Sequence, residues 1–131
     1  MTRPVAAMLR LMPMVVTMGI IFLFSHQPDD SLSLSAVPGV DKLAHMTVYG
    51  ILAGTVLFAV SDRWKERNRR LVMILTVLFC TLYGISDEFH QSFVPGRCVS
   101  GYDLLADSCG AAITCLLWAG WRRKFAMMRC W

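Results

Sequence analysis

Apolar residues gather into four long runs, Val5 to Phe24, Leu43 to Val60, Leu71 to Ile85 and Leu104 to Trp121, with the polar positions mostly between or at the ends of them. No run alternates apolar and polar with a period of two, as a lipid-facing barrel strand would, so strands are not expected. A helix rises about 1.5 Å per residue and the hydrocarbon layer is roughly 30 Å thick, so about 20 residues are needed to cross it. The third run falls short unless it continues through Ser86-Asp87-Glu88-Phe89-His90-Gln91, and the reading extends it to Gln91. The pattern predicts an all-α chain. It is a four-helix transmembrane bundle forming one integral membrane domain over residues 1–131, with spans at about 5–24, 43–60, 71–91 and 104–121.

Composition points the same way. Of 131 residues, 56% are hydrophobic and 17% charged, and the mean hydropathy is +0.52, well above the soluble average. The net charge of +4 does not signal nucleic acid, because the bases interrupt apolar runs instead of forming one face. Disorder is excluded by the hydrophobicity itself.

The placement of the bases sets an expected orientation. Arg3 and Arg10 precede or enter the first span; Arg63, Lys65, Arg67, Arg69 and Arg70 follow the second; Arg122, Arg123, Lys124 and Arg129 follow the fourth. Lys42 and Arg97 stand apart from these groups. By the positive-inside bias, both termini and the middle loop are cytoplasmic and the other two loops face outward. Asp29, Asp30, Asp41, Asp87, Glu88, Asp103 and Asp107 fall on the outer side, as do His26, His45 and His90. Trp64, Trp118, Trp121 and Trp131 fall toward the cytoplasmic interface, where tryptophan is favoured.

The first span reads as an anchor, since Ser25-His26-Gln27-Pro28 offers no small-x-small cleavage pattern. The outer loop from Gln27 to Val40, with Pro28, Pro38 and Gly39, reads as irregular. Cys80, Cys98, Cys109, Cys115 and Cys130 show neither a C-x-x-C pair nor a zinc spacing. A Cys98–Cys109 disulfide and free apolar thiols both remain open.

Candidate chemistry lies on the outer half. Lys42, His45 and Tyr49 share a face of the second helix, with Asp41 one turn before His45; Gly84, Asp87, Glu88 and Gln91 share one on the third; Asp103, Asp107 and Gly110 share one on the fourth. An ionised side chain at lipid depth costs about 2.5–3.5 kcal/mol on insertion scales, so these stripes are expected to meet and pair. The turn Val94-Pro95-Gly96-Arg97 is expected to place Arg97 over the cluster, where it can bridge carboxylates or hold a ligand phosphate. Each group also has a packing alternative: Asp103 as a helix cap, Asp87 with Glu88 as a latch neutralised by Arg97 and Lys42, and His45 with Tyr49 as hydrogen-bonded filler. Gly50-x-x-x-Gly54 and the pair Ala106 and Gly110 are small residues that let helices approach closely.

Asp41-Lys42-Leu43-Ala44-His45 with Tyr49, Ser86-Asp87-Glu88-Phe89-His90-Gln91, Phe93-Val94-Pro95-Gly96-Arg97, Ser100, Asp103-Leu104-Leu105-Ala106 and Gly110-Ala111 resemble the VanZ-like family, as does Ser25-His26-Gln27-Pro28. The likeness runs from about Ser25 to Ala111, and departs where members usually carry Asn and this chain has Asp107. It implies a small polytopic protein of the bacterial cytoplasmic membrane, in a family whose founding member is associated with reduced susceptibility to the lipoglycopeptide teicoplanin. It implies no established reaction.

Three function classes follow. The first is a non-enzymatic envelope protein whose outward polar pocket engages an anionic membrane lipid or a lipid-linked cell-wall intermediate through Arg97, Lys42 and His45, influencing glycopeptide susceptibility. The second is a membrane hydrolase or transferase acting on a lipid-linked headgroup, with Asp87 or Glu88 as base, His45 as acid and Arg97 stabilising negative charge. The third is a small proton-coupled transporter, disfavoured because the polar groups occupy one half only. No cofactor or metal is required by the residues, although His45, Asp87 and Glu88 can hold a divalent ion.

Overall fold

The computed structural model describes residues 3–27, 39–97 and 99–128. Residues 28–38, Cys98, Arg129, Cys130 and Trp131 lie outside the described residues, and with them most of the outer loop and the Cys98–Cys109 pairing. The helices are α1 (Arg3–Ser25), α2 (Val40–Ala59), α3 (Asp62–Arg67), α4 (Arg69–Gln91) and α5 (Gly101–Met128). Among the described residues there is no strand, and 4 helices are long and apolar enough to cross a membrane. The chain is a multi-pass membrane protein. Its outward surface fits that medium: Leu9, Met12, Leu23, Ile74, Leu116 and Leu117 are exposed, a heavy cost in water and none against acyl chains.

The tightest crossing is α2 on α5. A Cβ added at Gly110 would collide with the Met46 carbonyl, and one at Gly50 would lie 3.1 Å from Thr114 Oγ1 and 3.4 Å from the Gly110 carbonyl oxygen. Only hydrogen at Gly110 lets the backbones approach this closely, and Gly50 faces it with a tight but tolerable fit, which is how small residues associate helices in lipid. Beside this seam Tyr49, Leu52, Ala53, Cys80 and Ala111 form one buried cluster with Ile21, and Leu57, Val72 and Cys115 form a second toward the other end.

That other end is polar and mostly basic. The connection after α2 contains α3, a single short helix with no apolar period to betray it. Asp62 on α3 accepts from Arg10 of α1 at 3.3 Å and from Lys65 at 2.9 Å. Lys65 is buried and donates to the Leu57 carbonyl at 3.1 Å, so a cation caps the negative end of α2. Arg122 of α5 reaches Glu66 at 3.1 Å and lies over the Trp118 ring. The start of α1, α3 and the end of α5 are thus tied together at one end of the bundle. The opposite end gathers the end of α1, the start of α2, the end of α4 and the start of α5.

Candidate functional site

Every polar stripe expected from the sequence converges at that opposite end. On α4 the helix continues without a break through Ser86 to Gln91, so Gly84, Asp87, Glu88 and Gln91, spaced at one helical face, all point inward and are buried. On α5, Asp103 and Asp107 lie one turn apart and are both buried. On α2, Tyr49 is buried while Lys42 and His45 remain partly exposed at the rim.

The pairing runs between helices. Lys42 Nζ bridges Asp103 Oδ1 of α5 and Asp41 Oδ2, the latter at 2.9 Å. His45 Nδ1 faces Asp107 Oδ1 at 3.0 Å, which turns its Nε2 away from that carboxylate. Asp87 Oδ2 accepts from Ser25 Oγ of α1 at 2.8 Å and from Gln91 Nε2 at 3.0 Å, and Gln91 also reaches Ser25 Oγ at 3.3 Å. The Ser100 backbone N–H, just before α5, donates to Glu88 Oε2 at 3.0 Å. Asp103 therefore joins α5 to α2 through Lys42, and it is Glu88 that receives the backbone donor at the start of α5.

Arg97 is placed differently from the expectation. Val94-Pro95-Gly96-Arg97 does form a tight turn, with Arg97 N–H donating to the Val94 carbonyl at 3.2 Å and Gly96 at φ 82, as a glycine at the third position of such a turn allows. The Arg97 side chain, however, donates to the carbonyls of Gln27 and Phe24, both at 3.1 Å, and to neither carboxylate. The last turn of α1 presents carbonyls with no helical partner, and a planar cation with several N–H groups satisfies them. Asp87 and Glu88 are consequently not latched by Arg97 and Lys42; their partners are Ser25, Gln91 and the Ser100 N–H.

Among the described residues, three buried side-chain oxygens have no hydrogen-bond partner: Tyr49 OH, Glu88 Oε1 and Asp107 Oδ2. They come from α2, α4 and α5: a Cβ at Gly84 would lie 2.9 Å from Asp107 Oδ2 and 3.5 Å from the Tyr49 ring, and Glu88 follows one turn later on α4. Buried polar atoms are nearly always paired, so three orphans at one end of a bundle are unusual. Beneath them the bundle is apolar, with Leu52, Ala53, Cys80 and Ala111 one turn further in. Among the described residues no group of three or more His, Cys, Asp and Glu side chains is arranged to hold a metal ion.

Ser25 and the N–H of Ser100 belong to the site although the sequence gives them no stripe of their own. A second feature lies at the edge: His26 Nδ1 and His90 Nε2 are 3.3 Å apart, with Phe22 against the His90 ring at 4.5 Å between centroids. Cys109, Cys80 and Cys115 carry free thiols.

A family model described as VanZ/LLP1 matches residues 1–122. A protein of fission yeast (Schizosaccharomyces pombe), described as uncharacterized, is 34% identical over 82 residues, which is 62% of this chain and 48% of that protein. The chain thus spans about half the length of the curated relative it matches. No solved structure matches it.

Proposed function

The chain belongs to the VanZ/LLP1 family, and we propose that it is a non-enzymatic membrane protein that holds the polar headgroup of a membrane lipid or lipid-linked cell-wall intermediate at one end of its bundle. In this reading it resides in a bacterial cytoplasmic membrane, with both termini and α3 on the cytoplasmic side and the site at the outer leaflet. The single observation that supports it is the trio of unpaired buried oxygens, Tyr49 OH, Glu88 Oε1 and Asp107 Oδ2, at the polar end of the bundle. An unpaired buried polar group costs about 1–3 kcal/mol, and a bound headgroup that supplied donors would recover it. Lys42 and His45, partly exposed beside the trio, suit the anionic phosphate of the same headgroup. Any influence on glycopeptide susceptibility runs through that occupancy.

The test is the lipid content of the protein purified in mild detergent, measured by mass spectrometry. A stoichiometric lipid or lipid-linked species in the wild type, and its loss in folded Glu88→Gln, is the expected result. A protein that carries no headgroup species, or a Glu88→Gln variant that retains it unchanged, removes the proposal.

One observation favours a second reading, a hydrolase or transferase acting on the same headgroup. His45 Nδ1 on Asp107 with Nε2 turned away is the arrangement of an oriented general base. This departs from the sequence-based roles of Asp87 or Glu88 as base and Arg97 as anion stabiliser. Turnover of a bound lipid-linked headgroup that is lost in His45→Gln while binding persists would establish it. A transport role gains nothing from the apolar layer beneath Tyr49.

A further inference from the structure

Resting on the headgroup reading, we propose that the group seated between Tyr49, Glu88 and Asp107 is a protonated primary amine, so that the site selects headgroups ending in an ammonium with N–H donors.

The inventory of unpaired atoms decides the chemistry. Glu88 Oε1 and Asp107 Oδ2 are acceptors, and the Tyr49 hydroxyl can accept as well as donate. Several neighbouring polar atoms already have partners. Asp87 Oδ2 accepts from Ser25 and Gln91, Lys42 is held by Asp41 and Asp103, His45 Nδ1 by Asp107 Oδ1, and Glu88 Oε2 accepts from the Ser100 N–H. What is missing is a compact donor with about three hydrogens and no lone pair, and a primary ammonium has three donors and no acceptor.

Charge argues the same way. Lys42 pairs with Asp103 and His45 with Asp107, whereas the hydrogen-bond partners of Asp87 and Glu88 are neutral, so the buried carboxyl groups at this end outnumber their cationic partners. Arg97 is turned to the end of α1. An uncompensated buried carboxylate is expensive, and a cation relieves it. A phosphate oxygen at the same point would set acceptor against acceptor, which keeps the anionic part of a headgroup out at the rim with Lys42. Tyr49, at 1% exposure, points to a ligand independently of the acids, because its neutral hydroxyl is also left without a partner. A quaternary ammonium carries the charge but no N–H, and is the discriminating competitor.

The experiment uses the full chain in nanodiscs of phosphatidylglycerol mixed with either phosphatidylethanolamine or phosphatidylcholine, reading the thermal midpoint and the lipids retained by native mass spectrometry. Phosphatidylethanolamine should raise the midpoint by several degrees over phosphatidylcholine and be enriched on the order of tenfold among retained lipids, as expected where a site is built around N–H groups. Glu88→Gln, or Asp107→Asn should the first variant fold poorly, should erase both differences. Soluble ethanolamine added to phosphatidylcholine discs separates a free amine from a lipid-borne one: protection by ethanolamine alone assigns the site to a free amine. Equal retention of both lipids, both lost in Glu88→Gln, overturns the amine and leaves the headgroup reading standing. No retained lipid of any kind overturns both. A midpoint raised by magnesium chloride and by no amine overturns the amine in favour of a metal cation.

Discussion

Asp107 Oδ1 and His45 Nδ1 meet at 3.0 Å across the α2–α5 crossing, so a buried carboxylate is tied to an imidazole 62 positions earlier in the chain. The pair joins the helices where Gly50 and Gly110 bring them closest. It leaves the other Asp107 oxygen, Oδ2, without a partner. Asp107→Asn keeps an acceptor for the imidazole N–H, whereas Asp107→Ala removes it and leaves His45 unpaired. Thermal unfolding in detergent should show the Asn variant close to wild type and the Ala variant lower by roughly 1–3 kcal/mol. An Ala variant as stable as wild type would mean that the pair does not hold the helices.

Gly110 has no room for a methyl group, because the Met46 carbonyl occupies the place of its Cβ. Gly110→Ala should lower stability by about 1–3 kcal/mol or more and reduce the yield of monodisperse protein. Gly101, whose Cβ would meet nothing within 4 Å, is the matched control. Gly101→Ala should leave the elution profile and midpoint unchanged.

Arg97 reads as the cap of α1, through the Phe24 and Gln27 carbonyls. Arg97→Ala should speed amide hydrogen exchange in the last turn of α1, with a loss of about 1 kcal/mol, and leave exchange at Glu88 and Gln91 as before. Faster exchange at the end of α4 instead would return Arg97 to the carboxylates.

The basic end carries a charge latch that should respond to pH. Lys65 hydrogen-bonds to Asp62, and with Arg10 nearby holds its carboxyl below the ordinary aspartate value. A depressed folded-state pKa gives stability that is fully present above the ordinary aspartate value and is lost as pH falls through the lower one. Thermal midpoints followed from neutral pH into that acidic range should fall in wild type and fall less in Asp62→Asn. Salt should shrink the difference, since Arg10 and Asp62 are exposed.

Much of the fold was legible because hydropathy and helical spacing act locally. Run length set the helices, and the spacing of Gly84, Asp87, Glu88 and Gln91 put them on one face, which is the face α4 buries. Spacing says which residues share a face; it does not say which helix that face meets. Hence Ser25 with Asp87, and Lys42 with Asp103, were not specific expectations. The Arg97 partners are not legible in sequence because they are backbone carbonyls, which every residue owns and no residue type announces. The helix α3 has no signature in the sequence because its six residues, five of them charged, carry no apolar period.

The proposed orientation is open to single-cysteine labelling in a background without native cysteines. Ser61→Cys at the basic end and Phe93→Cys at the polar end should react from opposite faces of the membrane, with Ser61→Cys shielded from an impermeant reagent added outside. Labelling of both from one face would contradict a spanning bundle, and the reversed pattern would turn the site to the cytoplasm.

The proposed headgroup site is tested most directly by removing one oxygen. Tyr49→Phe deletes a buried hydroxyl that has no hydrogen-bond partner within the protein, so in lipid-stripped detergent the variant should melt several degrees higher than wild type, while the protection conferred by added phospholipid shrinks. A variant that melts lower and is still fully protected by lipid would show the hydroxyl to be part of the packing, and would contradict the proposed site.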